Sequence, residues 1–282
     1  MIKLIAFDLD GTLLNHSGEI SERTLSVLNR AHEIGILLMC CTGRTAQSAH
    51  TALSKLQLDK KNGYFCGMNG QWILSYRDHD VVQKEMLSES EIRKLAETIK
   101  NRFALAVLQK ENKMLIVYDK GKKWISDFYL KLSRLLWIYR QNDVYEKPES
   151  ISLEQLSLEQ YAKICFTAMP WTIDKMITQI SHHFNEYTCS KVAPFWMECQ
   201  RKGISKGNAL KAVAEKEGIL QEEIIAFGDG ENDISMLEYA GKGIAMKNAM
   251  RKVKNCSDEI CGSCSEDGVA EYLEAILDDS II

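Results

Sequence analysis

Ile5-Ala6-Phe7-Asp8-Leu9-Asp10-Gly11-Thr12-Leu13-Leu14 runs an apolar strand straight into two carboxylates, followed at once by Gly-Thr. A buried strand does not end in paired acids unless something offsets their repulsion and desolvation. If the strand stops at Phe7, Asp8 and Asp10 lie on the loop beyond the carboxyl edge of a sheet. Open α/β sheets bind their ligands there. A divalent cation between the acids resolves the electrostatics, and a hard oxygen donor set suits Mg²⁺. Gly11 lets the backbone turn closely around such an ion, and Thr12 offers a hydroxyl to lock the loop. The plain alternative is an acidic turn closing a strand, because Asp-Gly is ordinary turn chemistry.

A second stretch repeats the device. Glu223-Ile224-Ile225-Ala226-Phe227 is an apolar strand that ends in Gly228-Asp229-Gly230-Glu231-Asn232-Asp233. Two acidic strand ends repel each other unless they share a cation. Together they point to one Mg²⁺ site assembled from distant sequence, with Asp8 and Asp229 as carboxylate ligands. Asp10 contributes its main-chain carbonyl while its side chain faces a substrate, and Asp233 braces the site from behind.

The bulk numbers describe an ordinary globular chain. It has 282 residues, 45% apolar and 26% charged, with a net charge of −4. No basic stripe speaks for nucleic acid as a partner; Lys120 to Lys123 and Lys247 to Lys254 read as solvated faces. No apolar run approaches the ~18 residues of a membrane span. Met1-Ile2-Lys3 leads directly into the first strand, so no signal peptide is expected and the location is read as cytoplasmic. Cys40, Cys41, Cys66 and Cys165 sit in strand-like apolar runs, as small hydrophobes of a reduced protein do. Cys256, Cys261 and Cys264 are spaced like part of a metal knuckle, but that segment holds no His and no fourth ligand, so zinc is not expected.

Between the two acidic ends the pattern changes twice. Ser21 caps a helix that ends at Gly35, and Ile36 to Cys41 is a continuous apolar run, the mark of a strand buried on both faces. Thr42-Gly43-Arg44 then opens a helical stretch through Leu58, which would put Thr42 and the Gly43 amide where a phosphate is held, or leave Thr42 as a simple cap. Tyr64 to Gly67 is a third strand, followed by a hairpin-like pair over 71–85. The order β-α-β-α-β predicts a doubly wound parallel sheet, α/β in class. From about Leu87 to Cys199 helices are followed by strand pairs, which predicts an inserted α+β domain with an antiparallel sheet. The expected division is 1–86 with 200–282 as a Rossmann-like core, and 87–199 as the insertion. Inside the insertion, 139–158 is polar, carries Pro148 and is expected to include loops. From Gly203 the first rhythm resumes, with Lys206 opening a helix.

Asp8-x-Asp10-Gly-Thr, Thr42-Gly43-Arg44, Lys206 before a helix and Gly228-Asp229-x-x-Asn232-Asp233 resemble, in order, the four motifs of the haloacid dehalogenase superfamily. The insertion between the second and third, with Ala245-Met246-Lys247-Asn248-Ala249 after the fourth, resembles the Cof-like phosphatases with a type IIB cap. Cys66 to Gly70 and Glu266 to Ala270 look like that subfamily's pattern as well.

The resemblance implies a phosphoric monoester hydrolase that acts on a small-molecule phosphate ester, with Mg²⁺ as cofactor. Asp8 is then the nucleophile, which splits hydrolysis into formation and breakdown of an aspartyl phosphate. Asp10 is the general acid and base. Asp8, Asp10 and Asp229 hold the metal, and Asp233 supports them. Lys206, Thr42, the amides of Leu9 and Gly43, and Asn232 hold the phosphoryl oxygens. A second acid at Asp10 suits phosphate chemistry rather than carbon–halogen cleavage. A sugar phosphate, pyridoxal phosphate or flavin mononucleotide all agree with the pattern. A phosphomutase would use the same intermediate and return the phosphoryl group under a water-excluding cap. A silent metabolite-binding regulator would have lost part of the motif set, which is complete here.

Overall fold

The computed structural model describes residues 1–110, 113–135, 149–156, 161 and 163–279. The first strand, β1 (Leu4–Phe7), is buried throughout and stops at the first acid. The Ser21 hydroxyl accepts the Thr24 amide at 3.1 Å and so caps α1 (Glu22–Glu33). Gly35, at φ +90°, turns the chain into β2 (Leu37–Cys41). Every residue of β2 is buried, as in an interior strand of a parallel sheet covered on both faces, and β2 has a parallel partner on each side.

The next helix differs from expectation. It does not start at Thr42-Gly43-Arg44; α2 runs only over His50–Leu56. A capping turn centred on Thr45 fills the interval. Thr45 Oγ1 accepts the Ser48 amide at 3.1 Å, and the Thr45 carbonyl accepts the Ala49 amide at 3.0 Å. Thr42 and Gly43 therefore sit on a loop, not at a helix N-terminus. Three strands follow: β3 (Tyr64–Gly67), β4 (Trp72–Ser75) and β5 (Val81–Lys84).

The insertion opens with α3 (Glu89–Ala96), where Ser88 and Glu91 form a reciprocal capping box. It continues through β6 (Ala104–Lys110), β7 (Lys113–Tyr118), α4 (Lys123–Leu135), β8 (Glu149–Ser152), β9 (Lys163–Ala168), α5 (Pro170–His183), β10 (Tyr187–Ala193) and β11 (Trp196–Arg201). Its sheet has the order β10-β11-β9-β6-β7-β8. All pairings are antiparallel except β7 with β8, which is parallel. The sheet is antiparallel as expected, with that one parallel pair at its edge. The chain between β7 and β8 carries α4, and a crossover of that length lays the returning strand parallel. Most of the polar stretch 139–158 lies outside the described residues. Its part from Glu149 to Ser152 forms strand β8.

The chain then returns through α6 (Lys206–Glu217), β12 (Ile224–Gly228), α7 (Ile234–Tyr239), β13 (Lys242–Met246), α8 (Arg251–Cys256), β14 (Glu259–Cys261) and α9 (Gly268–Asp279). These strands complete a sheet of order β14-β13-β12-β1-β2-β3-β4-β5. The pairings from β14 to β3 are parallel, and β4 and β5 close one edge as an antiparallel pair. From β1 the order runs outward to β2 and β3; from β12 it runs the other way. The reversal between β1 and β12 makes a topological switch point, where doubly wound sheets open a crevice. Both acidic strand ends are at that point.

Two compact units result, Met1–Lys84 with Ile204–Ile282, and Glu85–Gly203. The joins expected at 86/87 and 199/200 compare with observed crossings at 84/85 and 203/204. The first unit packs Phe7, Leu38, Phe65 and Phe227 at its centre, and the second packs Ile92, Leu95, Phe166, Ile173 and Met197. Each therefore has a core of its own. One cysteine pair, Cys189 with Cys199 across β10 and β11, is disulfide-bonded, which departs from the expectation of a reduced protein. Cys40, Cys41, Cys66 and Cys165 are free and buried. Among the described residues no helix is long and apolar enough to cross a membrane.

Candidate active site

In-register pairing of β1 with β12 sets Phe7 against Phe227, and the Asp8 amide donates to the Phe227 carbonyl at 3.1 Å. Asp8 and Asp229 therefore leave adjacent strands side by side. Ligand oxygens of Asp8, Asp229 and Asp233 all lie within 4.8 Å of one another, the one such acidic or metal-ligating group among the described residues. Cys256, Cys261 and Cys264 form no comparable group there.

One cation of the chain itself enters this cluster. Lys206, the first residue of α6, is fully buried, and its Nζ lies 2.6 Å from Asp8 Oδ1 and 2.5 Å from Asp233 Oδ1. The other oxygen of Asp233 accepts the amides of Asp229 at 3.0 Å and Gly230 at 2.9 Å. Asp233 thus ties Lys206 to the loop that carries Asp229. Close approach of α6 to α7 makes this possible. A Cβ on Gly207 would stand 2.1 Å from the Ser235 carbonyl oxygen, so only glycine allows the helices this near.

The charges remain unbalanced. Burial pushes the Asp8 carboxyl up to about 8 against the pull of Lys206, with crowding by Asp233 adding to the rise. Burial also pushes Asp229 up to about 6, again aided by Asp233, while the Thr12 hydroxyl works the other way. Burial acts to lower the Lys206 ammonium, but Asp233 and Asp8 outweigh it and hold it above its usual range. A lysine alone leaves these carboxylates disfavoured as anions. A set of hard oxygen donors short of positive charge suits a divalent cation of the Mg²⁺ kind.

The rest of the loop after β1 is built around Asp229. Thr12 Oγ1 donates to Asp229 Oδ1 at 3.3 Å. Gly11, at φ +75°, comes so near that a Cβ there would meet Asp229 Oδ2 at 2.4 Å. Asn248 donates through Nδ2 to the Gly11 carbonyl at 2.7 Å and accepts the Cys264 amide at 2.9 Å, so it braces the loop from β13's side. Leu9 is fully buried. Asp10 stands apart from the acid group. Its carboxylate is 57% exposed and meets the Arg44 guanidinium in a two-pronged ion pair, with Nε 2.7 Å from Oδ2 and Nη2 on Oδ1.

Thr42 is fully buried, and its Oγ1 accepts the Arg44 amide at 3.1 Å, which leaves the hydroxyl proton unused in that bond. A Cβ on Gly43 would lie 3.2 Å from Asn69 Oδ1. Asn232 donates through Nδ2 to the same Asn69 oxygen at 3.0 Å. Asp8, Lys206, Asp229 and Asp233 therefore meet at the β1–β12 strand ends, Asp10 joins Arg44 on the Thr42 loop, and Asn232 joins Asn69. Sequence reasoning assigned no task to Arg44 or Asn69. Arg44 was visible only as the end of Thr-Gly-Arg, and Asn69 only as part of Cys66 to Gly70.

Comparison with known proteins agrees with this geometry. Residues 5–273 match the haloacid dehalogenase-like hydrolase family. YxeH of Bacillus subtilis, a protein with a phosphatase name, is 30% identical over 98% of this chain and 99% of its own. The 5-amino-6-(5-phospho-D-ribitylamino)uracil phosphatase YcsE of the same organism is 28% identical over 96% of this chain and 94% of its own. A solved haloacid dehalogenase-like hydrolase from Bacteroides thetaiotaomicron superposes with a TM-score of 0.79 at 27% identity, covering 98% of this chain and 100% of that one. An α/β fold with its acids at the switch point, matched over nearly the whole length, makes this chain an enzyme of the haloacid dehalogenase-like hydrolase family, on its Cof-like branch.

Proposed function

We propose that this enzyme is a Mg²⁺-dependent phosphatase of a small phosphorylated metabolite and works through an aspartyl phosphate on Asp8. The observation that carries the reading is the buried cluster of Asp8, Lys206 and Asp233 beside Asp229 at adjacent strand ends. Asp8 attacks phosphorus, and the ester oxygen leaves. Asp10, two residues on and exposed, protonates that oxygen and then takes a proton from the water that hydrolyses the acyl phosphate. Arg44 holds the Asp10 carboxylate in the resting state. Lys206, the Thr42 hydroxyl, the amides of Leu9 and Gly43, and the Asn232 carboxamide hold the phosphoryl oxygens. Asp8, Asp229 and the main-chain carbonyl of Asp10 hold the Mg²⁺, with Asp233 behind them. When bound, the ion offsets the repulsion between Asp8 and the phosphate dianion.

Unit Glu85–Gly203 is the cap that sets specificity in this reading, and the first unit is the catalytic core. The substrate class is a phosphorylated small molecule such as a sugar phosphate, pyridoxal phosphate or flavin mononucleotide. One relative's name carries a 5-phospho-D-ribityl group, the same phosphorylated chain that flavin mononucleotide bears. A cytoplasmic location goes with this metabolite role.

Phosphate release from p-nitrophenyl phosphate, with and without Mg²⁺ and with EDTA, tests the reading. Steady release that depends on Mg²⁺ is expected, together with a phosphoprotein trapped by acid quench that is lost in Asp8→Asn. Turnover without a trapped phosphoprotein in single-turnover quenches would remove the covalent step. Turnover that demands a bisphosphate activator would make the enzyme a mutase.

A further inference from the structure

The turn Met68-Asn69-Gly70 has no part in the chemistry above, yet it carries concentrated backbone strain. Met68 has φ +51°, Asn69 φ +58° and Gly70 φ +105°, three left-handed residues in a row, of which only the last is glycine. Such conformations are strained for a side chain like Met and persist where the surroundings demand them. The surroundings here are three of the loops that bear the active-site residues. The Met68 amide donates to the Arg44 carbonyl at 3.0 Å, and the Asn69 amide donates to the Thr42 carbonyl at 3.0 Å. Gly70 packs so closely on the residue before Lys206 that a Cβ would sit 2.5 Å from the Ser205 oxygen. The Asn69 side chain, 7% exposed, reaches the third loop by accepting from Asn232 Nδ2 at 3.0 Å.

We infer that Asn69 is a positioning residue for the phosphate subsite, acting through Asn232; this rests on the phosphatase reading above. A carboxamide presents a donor at one end and an acceptor at the other, and a half-turn exchanges them. Asn69 Oδ1 holds one proton of Asn232 Nδ2, which fixes the amide so that its second N–H is the group offered to a phosphoryl oxygen. Asparagine suits the place because it tolerates the left-handed region better than other side chains while supplying the acceptor.

Asn69→Gly tests this, since glycine keeps the backbone conformation and removes only the carboxamide. The melting temperature should change little. Inorganic phosphate should bind about tenfold more weakly, read by calorimetry with Mg²⁺ present, and KM for p-nitrophenyl phosphate should rise with it. In an Asn232→Ala background, Asn69→Gly should have almost no further effect, because the group it orients is gone. Undiminished phosphate affinity in Asn69→Gly would overturn the inference. So would a loss that simply adds to that of Asn232→Ala, since it would mark Asn69 as a structural residue. If the wild type fails to hydrolyse p-nitrophenyl phosphate, the phosphatase reading falls, while the phosphate-binding comparison still decides the role of Asn69.

Discussion

At the scale of single residues, two carboxylates a residue apart are held in opposite environments. Asp8 is buried beside Lys206, and Asp10 is exposed beside Arg44. The first environment suits a nucleophile placed beside a cation, and the second suits a group that must reach both a leaving oxygen and water. Asp8→Asn keeps the shape of the side chain and removes its ability to attack phosphorus. Turnover of p-nitrophenyl phosphate should fall by at least about 10³-fold, the order expected when a covalent nucleophile is lost. Its melting temperature should be unchanged or slightly higher, since burial and acid crowding already disfavour the Asp8 anion. Retention of several per cent of the activity would exclude Asp8 as the covalent group. The sequence makes the acids conspicuous, but Arg44 became meaningful only once the fold set it against a residue 34 positions away.

Elements decide how closely those residues gather. Helices α6 and α7 approach at Gly207, where a Cβ would press on the Ser235 carbonyl. Gly207→Ala should cost about 1–3 kcal/mol, as overpacking does, and should weaken activity because Lys206 is the adjacent residue. Urea unfolding and p-nitrophenyl phosphate turnover measure the two effects. Wild-type stability in this variant would mean that the helices have slack. In the second unit the Glu91 carboxylate at the start of α3 binds Arg201 of β11 and the Tyr187 hydroxyl of β10. The Arg201 hydrogen bonds lead in holding it below its ordinary value of 4.5, at about 2, against the opposing effect of burial. A depressed carboxyl stabilises above its unfolded value, and that stability drains away as pH falls from 4.5 toward 2. With the side chain 20% exposed, the contribution is about 1–2 kcal/mol after solvent screening. Glu91→Gln should melt below wild type at pH 6, and the gap should narrow as the solution is acidified. A gap that stays constant with pH would show that packing, not charge, joins these elements.

Over the whole molecule, the metal should appear as stability. Three acids that share one pocket repel unless cation charge is supplied, so Mg²⁺ should add RT ln(1 + [L]/Kd) to the stability, about 2.7 kcal/mol at a hundredfold Kd, and raise the melting temperature accordingly. Asp229→Ala should lose most of that shift. Asp10→Ala should keep much of it while losing catalysis, since only its main-chain carbonyl is assigned to the ion. Equal loss in the two would make the Asp10 carboxylate a ligand and send the search for the general acid elsewhere. The doubly wound α/β class was legible in the chain alone, because a strand buried on both faces must be apolar throughout and its helices must be striped. Leu37–Cys41 and Ile224–Gly228 show that pattern without help from any other residue. The chain was equally plain about which strands end in acids. It did not show that β8 lies parallel to β7, because the returning strand's direction depends on how a long connection packs. Nor did it show that helix α2 starts as late as His50, after a turn capped by the Thr45 hydroxyl. Local sequence sets periodicity and turn chemistry. Only the packed sheet brings Asp8 and Asp229 to neighbouring strand ends, buries Lys206 between Asp8 and Asp233, and lets the Met68–Gly70 turn reach Arg44, Ser205 and Asn232 at once, because those distances belong to residues far apart in the chain.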